Sequence, residues 1–487
     1  MDSRRSGPMQ VSSSASRALA ALRACICTCL CMGASGGRLA AMQDPAPGER
    51  QLPTGSTPTA SAMTPRRLVV CLDGTSNSDF DEQRRDQGQK VLKPTNVLKL
   101  CRAVLPWDEQ NRREQIAYYE VGVGSLTRYP GIANRLLFNT DRALGGAYGA
   151  GFEANIESAL SFLVFNYQPG DEVFIFGFSR GAATSRGLTR FLDWTGGRLP
   201  SKSDAYYLPV FFHEFVVGKG KKPFDDVLTA IDAERASEKP RRGPLDLKSF
   251  PAINVEFLGV WDTVMALGAR FRATGASTST ASNTFYLDDQ PAACVKNARQ
   301  ALAVDEPRFD FRPEVWKRHR SGQTLKQRWF AGAHSNVGGG LVDDGLANLA
   351  FHWMLDEARA YGLAVDKGFV SHYRGFADDK LYPSSPLYRF LDWIRGRHGR
   401  GKRQLTGDEM SLDRSVIQRI QADPKKFGRL GGQPYRPRNV LAFLACQPDL
   451  QQYLADLGVT TPLPADVLAQ IQDLRQDCAK AGAKPPP

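Results

Sequence analysis

Residues 177–181, with the sequence Gly-Phe-Ser-Arg-Gly, have the residue types of a serine nucleophile on a tight turn. An apolar run at residues 173–176 precedes them, and the small residues Ala182 and Ala183 follow. Glycines on both sides of a serine remove the Cβ atoms that would clash where a strand turns sharply into a helix, so the serine Oγ projects from the end of the strand. The bare pattern also fits an ordinary Gly-Ser turn, but this context predicts that Ser179 is a nucleophile.

A carboxylate and a histidine would be needed to activate this serine, because a hydroxyl is a poor nucleophile until a base removes its proton. Where the serine lies on a strand-turn-helix, the chain order is Ser, then an acid, then His. Asp262 directly follows the apolar run 255–261, and a carboxylate at that strand end would hold the imidazole tautomer and stabilise the imidazolium. A helix N-cap is the alternative role for Asp262.

His334 is the best-placed base among the six histidines of the sequence. It follows an apolar run at residues 328–333 and precedes three glycines at 338–340. The other five occur in helix-like or basic surroundings without a strand before them, namely His213, His319, His352, His372 and His398. The sequence therefore predicts a triad of Ser179, Asp262 and His334, a mechanism that needs no metal or other cofactor.

Asp73, Gly74 and Thr75 follow the first apolar run of the chain, at residues 68–72. We expect the backbone N–H of Gly74 or Thr75, together with that of Arg180, to form the oxyanion hole. A structural turn held by the Asp73 side chain is the alternative. A phosphatase with an aspartate nucleophile is excluded, because Cys71 occupies the position where that chemistry needs the carboxylate.

Four apolar runs are typical of strands that are buried on both faces, at residues 68–72, 173–176, 255–261 and 328–333. Helix-like sequence, such as residues 155–166, occurs between them. Alternating buried strands and helices predict an α/β fold, in which a mostly parallel sheet is covered by helices on both faces. In such sheets the active residues gather at the carboxyl ends of the strands. Ser179, Asp262 and His334 all follow predicted strands.

The 487 residues divide by composition into four predicted regions. Residues 1–42 are a leader, residues 43–65 a Pro/Ser-rich linker, and residues 66–370 the α/β hydrolase domain. Residues 371–487 form a helical and basic extension that packs on this domain.

The leader has arginines before an apolar run at residues 24–34, as an export signal does. Two other interpretations are open: the leader is unstructured and translation begins at Met42 or Met63, or the leader carries a lipid anchor. Its four alternate cysteines, at positions 25, 27, 29 and 31, lack the spacing of a zinc site. No apolar run of the chain reaches the ~18–20 residues of a membrane-spanning helix, so a polytopic membrane protein is excluded.

The net charge of +12 favours an anionic partner. A basic segment at residues 393–403 predicts a peripheral membrane surface, in which Trp393 enters the interface and Arg395, Arg397 and Arg400 contact anionic headgroups. A solvated loop is the alternative. No nucleic-acid-binding motif accompanies the charge, so nucleic acid is not expected as a partner.

Several longer motifs occur in a fixed order along most of residues 66–440. They are Cys-Leu-Asp-Gly-Thr-Ser-Asn at 71–77, Val-Gly-Val-Gly at 121–124, Gly-Phe-Ser-Arg-Gly-Ala at 177–182, Gly-Val-Trp-Asp-Thr-Val at 259–264, Ala-Leu-Ala-Val-Asp-Glu-Pro-Arg at 301–308, Trp-Phe-Ala-Gly-Ala-His-Ser-Asn-Val-Gly-Gly-Gly at 329–340 and Tyr-Arg-Pro at 435–437. With them the chain resembles a bacterial family of uncharacterised α/β hydrolase-like domains that includes the phospholipase effectors of type VI secretion.

The resemblance implies an α/β-hydrolase fold, the triad Ser179, Asp262 and His334, and a phospholipid ester as substrate. A phospholipase A-type lipase that is exported, acts at a membrane surface and has a secretion-apparatus or immunity partner is the expected function. The chain departs from the family pattern at Asn336, where the family usually has Asp. That departure keeps open the alternative of a catalytically degenerate hydrolase fold that binds a membrane or a partner.

Overall fold

A sheet of eight strands forms the centre of the described structure. The computed structural model describes residues 64–74, 82–84, 90–122, 147–237, 242–249, 253, 255–264, 288–382, 403–423 and 433–480. Within these ranges the strands are β1 Arg67–Leu72, β2 Glu82–Arg84, β3 Lys90–Leu92, β4 Trp107–Asp108, β5 Arg113–Glu120, β6 Glu172–Phe178, β7 Arg198–Pro200, β8 Leu247–Ser249, β9 Val255–Trp261, β10 Val295–Ala303, β11 Thr324–Phe330 and β12 Met410–Leu412.

The strand order of the large sheet is β12-β11-β10-β9-β6-β1-β5-β4. Every neighbouring pair is parallel except β4 and β5, which are antiparallel. The predicted α/β fold with a mostly parallel sheet is therefore confirmed. β2 with β3, and β7 with β8, form two separate antiparallel pairs.

Helices cover both faces of this sheet. They are α1 Asn96–Ala103, α2 Ala147–Asn166, α3 Arg180–Trp194, α4 Leu208–Val217, α5 Phe224–Ser237, α6 His334–Gly338, α7 Gly345–Arg359, α8 Lys367–Val370, α9 Arg414–Gln421, α10 Arg438–Ala445, α11 Leu450–Asp456 and α12 Ala465–Lys480. None of these described helices has both the length and the apolar composition needed to cross a membrane.

Alternate residues of β1 enter two different cores, because successive side chains of a strand point to opposite faces. Leu68, Val70 and Leu72 pack in one cluster with residues of α2, α3 and α4. Val69 and Cys71 pack in a second cluster with residues of α1 and α7. The whole of β1 is buried, which explains why its sequence after Arg67 is continuously apolar instead of alternating.

The C-terminal part of the chain completes one edge of the sheet. β12 pairs in parallel with β11, and Trp329 of β11 lies in a third core cluster with residues of α9, α10 and α12. The described residues after 403 thus share a core with the sheet.

Two buried glutamines link neighbouring strands next to this edge. Gln300 of β10 and Gln327 of β11 are register partners, and the Gln300 side-chain amide donates to the Gln327 side-chain oxygen at 3.0 Å. The Gln327 amide donates to the carbonyls of Trp316 and Asp408 at 2.8 and 2.7 Å. The Thr263 hydroxyl donates to Gln300 at 2.5 Å, so this chain of hydrogen bonds reaches the residue after Asp262.

Replacing Ile417 of α9 by alanine tests whether the C-terminal region unfolds together with the sheet. Ile417 is completely buried in the third cluster. We expect the free energy of unfolding in urea to fall by about 2–5 kcal/mol, within a single transition. Leu468→Ala is the control, because Leu468 is 46% exposed and should change stability by at most about 0.5 kcal/mol. A separate minor transition that alone responds to Ile417→Ala would contradict a shared core.

Candidate active site

Ser179 lies on the sharp turn between β6 and α3. Its backbone has φ 58° and ψ −121°, in the region that residues other than glycine rarely adopt. Its N–H donates to the carbonyl of Trp261 at 3.0 Å, which ties the turn to the end of the neighbouring strand β9. A strained turn of this kind raises the serine hydroxyl above the sheet edge, at the N-terminus of a helix.

The glycines on either side of Ser179 allow two backbone segments to approach closely. A Cβ at Gly181 would lie 2.2 Å from the carbonyl oxygen of Leu72 and 2.4 Å from that of Asp73. A Cβ at Gly177 would lie 2.4 Å from Ser185 Oγ and 2.5 Å from the Gly181 carbonyl oxygen. The start of α3 therefore packs directly against the end of β1.

His334 is the first residue of α6, four residues after β11 ends at Phe330. Its Nε2 is 2.8 Å from Ser179 Oγ, and the residue is 5% exposed. The imidazole packs beside the rings of Phe178 and Phe311, with centroid distances of 4.7 and 5.0 Å. These contacts leave the ring little freedom to turn away from the serine.

Gly338 makes room for this arrangement. A Cβ at this position would lie 1.9 Å from the ring of Phe178, the same ring that packs on His334. The structure thus gives one glycine of the 338–340 run a packing role at the histidine.

Asp262 follows β9, as the sequence predicted, and its side chain is completely buried. Its Oδ2 is 2.5 Å from His334 Nδ1, and its Oδ1 accepts the N–H of Ala303 at 3.0 Å. With Nδ1–H directed at the carboxylate, His334 Nε2 is left to accept the Ser179 hydroxyl proton. The structure brings together the three predicted residues, in the order serine, imidazole, carboxylate.

Arg403 contacts both oxygens of the Asp262 carboxylate. Its Nη2 donates to Oδ2 at 2.9 Å, and its Nη1 donates to Oδ1. Burial alone would raise the pKa of Asp262, but the charge of Arg403 and the hydrogen bond from His334 outweigh burial and hold that pKa well below its usual range. Asp262 is therefore a carboxylate, not a carboxylic acid.

Arg403 was expected to lie in a basic surface segment, and for this residue the expectation is wrong: Arg403 is 4% exposed. The physical reason is that a buried carboxylate needs a buried counter-charge. Trp393, Arg395, Arg397 and Arg400, predicted to form the membrane surface, lie outside the described residues.

Two of the predicted oxyanion residues, Gly74 and Arg180, follow the adjacent strands β1 and β6. Thr75 is outside the described residues. The N–H of Gly74 donates to the carboxylate of Asp73 at 2.6 Å. The same carboxylate accepts the hydroxyls of Thr95 and Tyr119, each at 2.6 Å. Asp73 thus joins the end of β1 to Thr95 and Tyr119, and the N–H of Gly74 already has a partner.

Glu306 and Asp305 hold the segment that carries the histidine. The sequence did not predict a role for either residue. Glu306 accepts the backbone N–H of His334 at 3.2 Å and is paired with Arg308 at 2.6 Å. Burial would raise the pKa of Glu306, but the hydrogen bond and charge of Arg308 lower it overall. Asp305 accepts the N–H of Gly332 at 2.6 Å and the hydroxyl of Tyr435 at 2.8 Å, and burial raises its pKa. The sequence feature that could have indicated this role is a pair of acidic residues directly after an apolar run.

Asn336, where the chain departs from the family pattern, is buried, and its side chain forms hydrogen bonds with the backbone around it. Its side-chain oxygen accepts the N–H groups of Ala333 and Tyr382, each at 3.2 Å. Its amide donates to the carbonyl of Lys380, also at 3.2 Å, a bond that an ionised Asp cannot make. The asparagine joins α6 to residues 380–382 in a local structural role.

A family model described as "T6SS, Phospholipase effector Tle1-like, catalytic domain" matches residues 66–357, more than half of the chain. The chain belongs to this family. The resemblance drawn from the motifs is confirmed, and so is the coarser functional expectation of a lipolytic hydrolase of a type VI secretion effector family.

Three individual proteins are also similar. An uncharacterized protein of Saccharomyces cerevisiae is 30% identical over 142 residues, which are 28% of this chain and 19% of the yeast protein. An uncharacterized protein from Pseudomonas aeruginosa has a crystal structure with a TM-score of 0.37 and 16% identity, covering 86% of this chain and 63% of that one. The Tle1 effector bound to the VgrG spike of the type VI secretion system has a TM-score of 0.36 and 15% identity, covering 69% of this chain and 81% of that one.

Replacing Gly181 by alanine tests the close approach at the serine turn. The added Cβ would meet only backbone atoms of β1 and the residue after it, which cannot move aside as a flexible side chain can. We expect a loss of about 1–3 kcal/mol in unfolding free energy and a misplaced Ser179, measured by urea unfolding and ester hydrolysis. Gly243→Ala is the control, because a Cβ there would have no neighbour within 4 Å. Wild-type stability and activity in Gly181→Ala would show that the turn does not need this glycine.

Proposed function

We propose that the protein is a serine hydrolase that cleaves carboxylic esters of phospholipids, with phospholipase A-type activity. The observation that carries the proposal is the continuous hydrogen-bond chain from Ser179 Oγ to His334 Nε2 at 2.8 Å and from His334 Nδ1 to Asp262 Oδ2 at 2.5 Å. Family membership supports the substrate class.

In the proposed reaction His334 takes the proton of Ser179 while Oγ attacks the ester carbonyl. The imidazolium then gives this proton to the leaving alcohol, and an acyl-enzyme remains on Ser179. A water molecule, activated by His334 in the same way, releases the fatty acid. Asp262 stabilises the imidazolium in both steps because it stays ionised next to Nδ1.

The oxyanion of the tetrahedral intermediate would be stabilised by the backbone N–H of Arg180, the first residue of α3. The second donor would come from Gly74 or Thr75 in the loop after β1, which the contact of Gly181 with the Leu72 and Asp73 carbonyls brings beside α3. Because the Gly74 N–H is bonded to Asp73 in this structure, its use would require that bond to exchange for the substrate oxygen.

We further propose that the enzyme acts at a membrane surface and reaches it by secretion. Residues Trp393, Arg395, Arg397 and Arg400 would contact anionic headgroups, as their sequence pattern predicts. Membership of a type VI secretion effector family supports a secretion-apparatus partner here. An export signal at residues 1–42 and a neutralising immunity partner remain predictions from the sequence.

Ser179→Ala tests the nucleophile. We expect hydrolysis of phospholipid esters to fall by at least about 10³-fold, because the acyl-enzyme can no longer form. Released fatty acid and lysophospholipid, identified by mass spectrometry from mixed bacterial lipids, report the bond that is cleaved. Ser161→Ala is the control, since this half-buried serine of α2 bonds only the carbonyl of Glu157 four residues earlier. Full activity in a pure Ser179→Ala preparation would exclude the mechanism. Wild type without any hydrolysis would favour the degenerate, binding-only alternative.

Neutralising the basic segment tests the membrane surface. We expect the quadruple replacement of Arg395, Arg397, Arg400 and Lys402 by glutamine to weaken binding to anionic vesicles at low salt, by up to about 1 kcal/mol for each charge that lies near the membrane. Arg403 is kept, because it is buried against Asp262. A control variant replaces four exposed lysines elsewhere, Lys202, Lys219, Lys221 and Lys317. Equal vesicle binding by both variants, measured by co-sedimentation, would remove the predicted surface.

A further inference from the structure

The ion pair between Arg403 and Asp262 is completely desolvated, since both side chains are 0% exposed. Besides the carboxylate, the guanidinium donates to the carbonyls of Ala303 and Phe311 at 2.9 and 2.7 Å. Its Nε–H has no hydrogen-bond partner among the described residues, which is an energetic cost. An apolar residue at this position would avoid the desolvation of a charge, so a stabilising role alone is a weak explanation for the arginine.

We propose that Arg403 is a positioning residue of the active site, which fixes the orientation of the Asp262 carboxylate and sets the proton affinity of the Asp262–His334 pair. The proposal deepens the proposed Ser–His–Asp mechanism and rests on it. Arg403 touches neither the nucleophile nor the substrate in this scheme and acts through Asp262.

The positioning follows from the four hydrogen bonds that the carboxylate accepts. Oδ1 accepts the Ala303 N–H and Arg403 Nη1, while Oδ2 accepts Arg403 Nη2 and faces His334 Nδ1. A planar guanidinium that spans both oxygens resists rotation of the carboxylate about its Cβ–Cγ bond. Without this fork the carboxylate would be held only by the Ala303 N–H at Oδ1 and by the His334 imidazole itself at Oδ2, so its orientation would depend on the ring that it is meant to orient.

The charge of Arg403 acts on the pair as a unit, because the carboxylate and the imidazole are too close to titrate independently. The form that can accept the serine proton is ionised Asp262 with neutral His334. A fixed positive charge beside the carboxylate opposes the uptake of a further proton by either member. Removing that charge must therefore raise the pH below which the pair is protonated and inactive.

The other acidic groups near Asp262 and His334 have cationic neighbours of their own. Glu306, whose carboxylate bonds the His334 backbone, is paired with Arg308. Burial raises the pKa of Asp305, and the charges of Arg403 and Arg419 oppose this rise only in part. Among the described residues, Arg403 forms an ion pair with the Asp262 carboxylate, and His334 is the other ionisable group that contacts it.

Arg403 reaches the site from the C-terminal part of the chain, outside the matched residues 66–357. Its carbonyl accepts the side-chain amide of Asn439 at 3.2 Å, and the same amide donates to the carbonyl of Val304 at 3.0 Å. Asn439 of α10 thus ties the arginine to the loop after β10. The catalytic geometry would depend on a segment that the family's catalytic-domain model does not include.

The test measures the rate at which a fluorophosphonate probe labels Ser179 in the full chain as a function of pH, for wild type, Arg403→Met and Arg403→Lys. For Arg403→Met we expect a plateau rate about 10- to 100-fold lower, because the imidazole loses its fixed orientation toward the serine. We also expect the midpoint of the acidic limb to move up by about one pH unit. Arg403→Lys keeps the charge but loses the fork, so its midpoint should stay near that of wild type while its plateau rate is reduced.

Arg299→Met is the matched control. Arg299 is a buried arginine paired with Glu357 at 2.6 Å, on the same strand that ends at Ala303 but away from the triad. It should lower stability without moving the pH midpoint, whereas a purely structural role for Arg403 would make the two variants alike. A folded Arg403→Met with the wild-type plateau and midpoint, or a midpoint shift equally present in Arg299→Met, would overturn the proposal. If Arg403→Met does not fold, wild-type labelling by Arg403→Lys would overturn it.

The same experiment separates this proposal from the proposed function. Folded wild type that does not label, or Ser179→Ala that does, would refute the serine mechanism itself. Wild type that labels at Ser179 with an Arg403→Met that behaves identically would refute only the role of Arg403.

Discussion

The active site depends on one buried negative charge. Asp262 is removed from water at the end of β9, and its ionised form persists because Arg403, His334 and the N–H of Ala303 all contact the carboxylate. Burial of an unpaired carboxylate would drive it to take up a proton, and a neutral acid would neither orient the imidazole nor stabilise its cation. The counter-charge is therefore as much a condition of the proposed chemistry as the serine is.

The sheet supplies the geometry around this charge. Ser179 and Asp262 follow the adjacent parallel strands β6 and β9, so both lie at the same sheet edge. His334 comes from the more distant strand β11 and reaches the serine through the short helix α6. Glu306 bonds the backbone of the first residue of that helix, and Asn336, its middle residue, bonds the backbone of residues 380 and 382. Backbone contacts at Gly181 and ring contacts at Gly338 leave little space for other arrangements.

The positions of the three candidate residues at strand ends, and the main strands themselves, could be predicted from the sequence because each of them is marked locally. Strands that are buried over nearly their whole length, such as β1 and β9, contain long apolar runs, and a polar residue follows the end of each run. β10 was not predicted, since its buried residues include Arg299 and Gln300, which become buried only through partners elsewhere in the chain. Arg403 could not be predicted for a related reason. Its neighbours in sequence are basic and glycine-rich, and only the distant carboxylate explains its burial.

The glutamine pair in the sheet has a consequence for how the strands find their alignment. Apolar parallel strands present much the same surface after a shift of two residues, so hydrophobic contact alone discriminates weakly between alignments. Gln300 and Gln327 are opposite each other only in the observed alignment, and a slip between β10 and β11 would break the buried hydrogen bond between them. These two side chains, remote from any reacting atom, thereby select the strand pairing that delivers the imidazole to the serine.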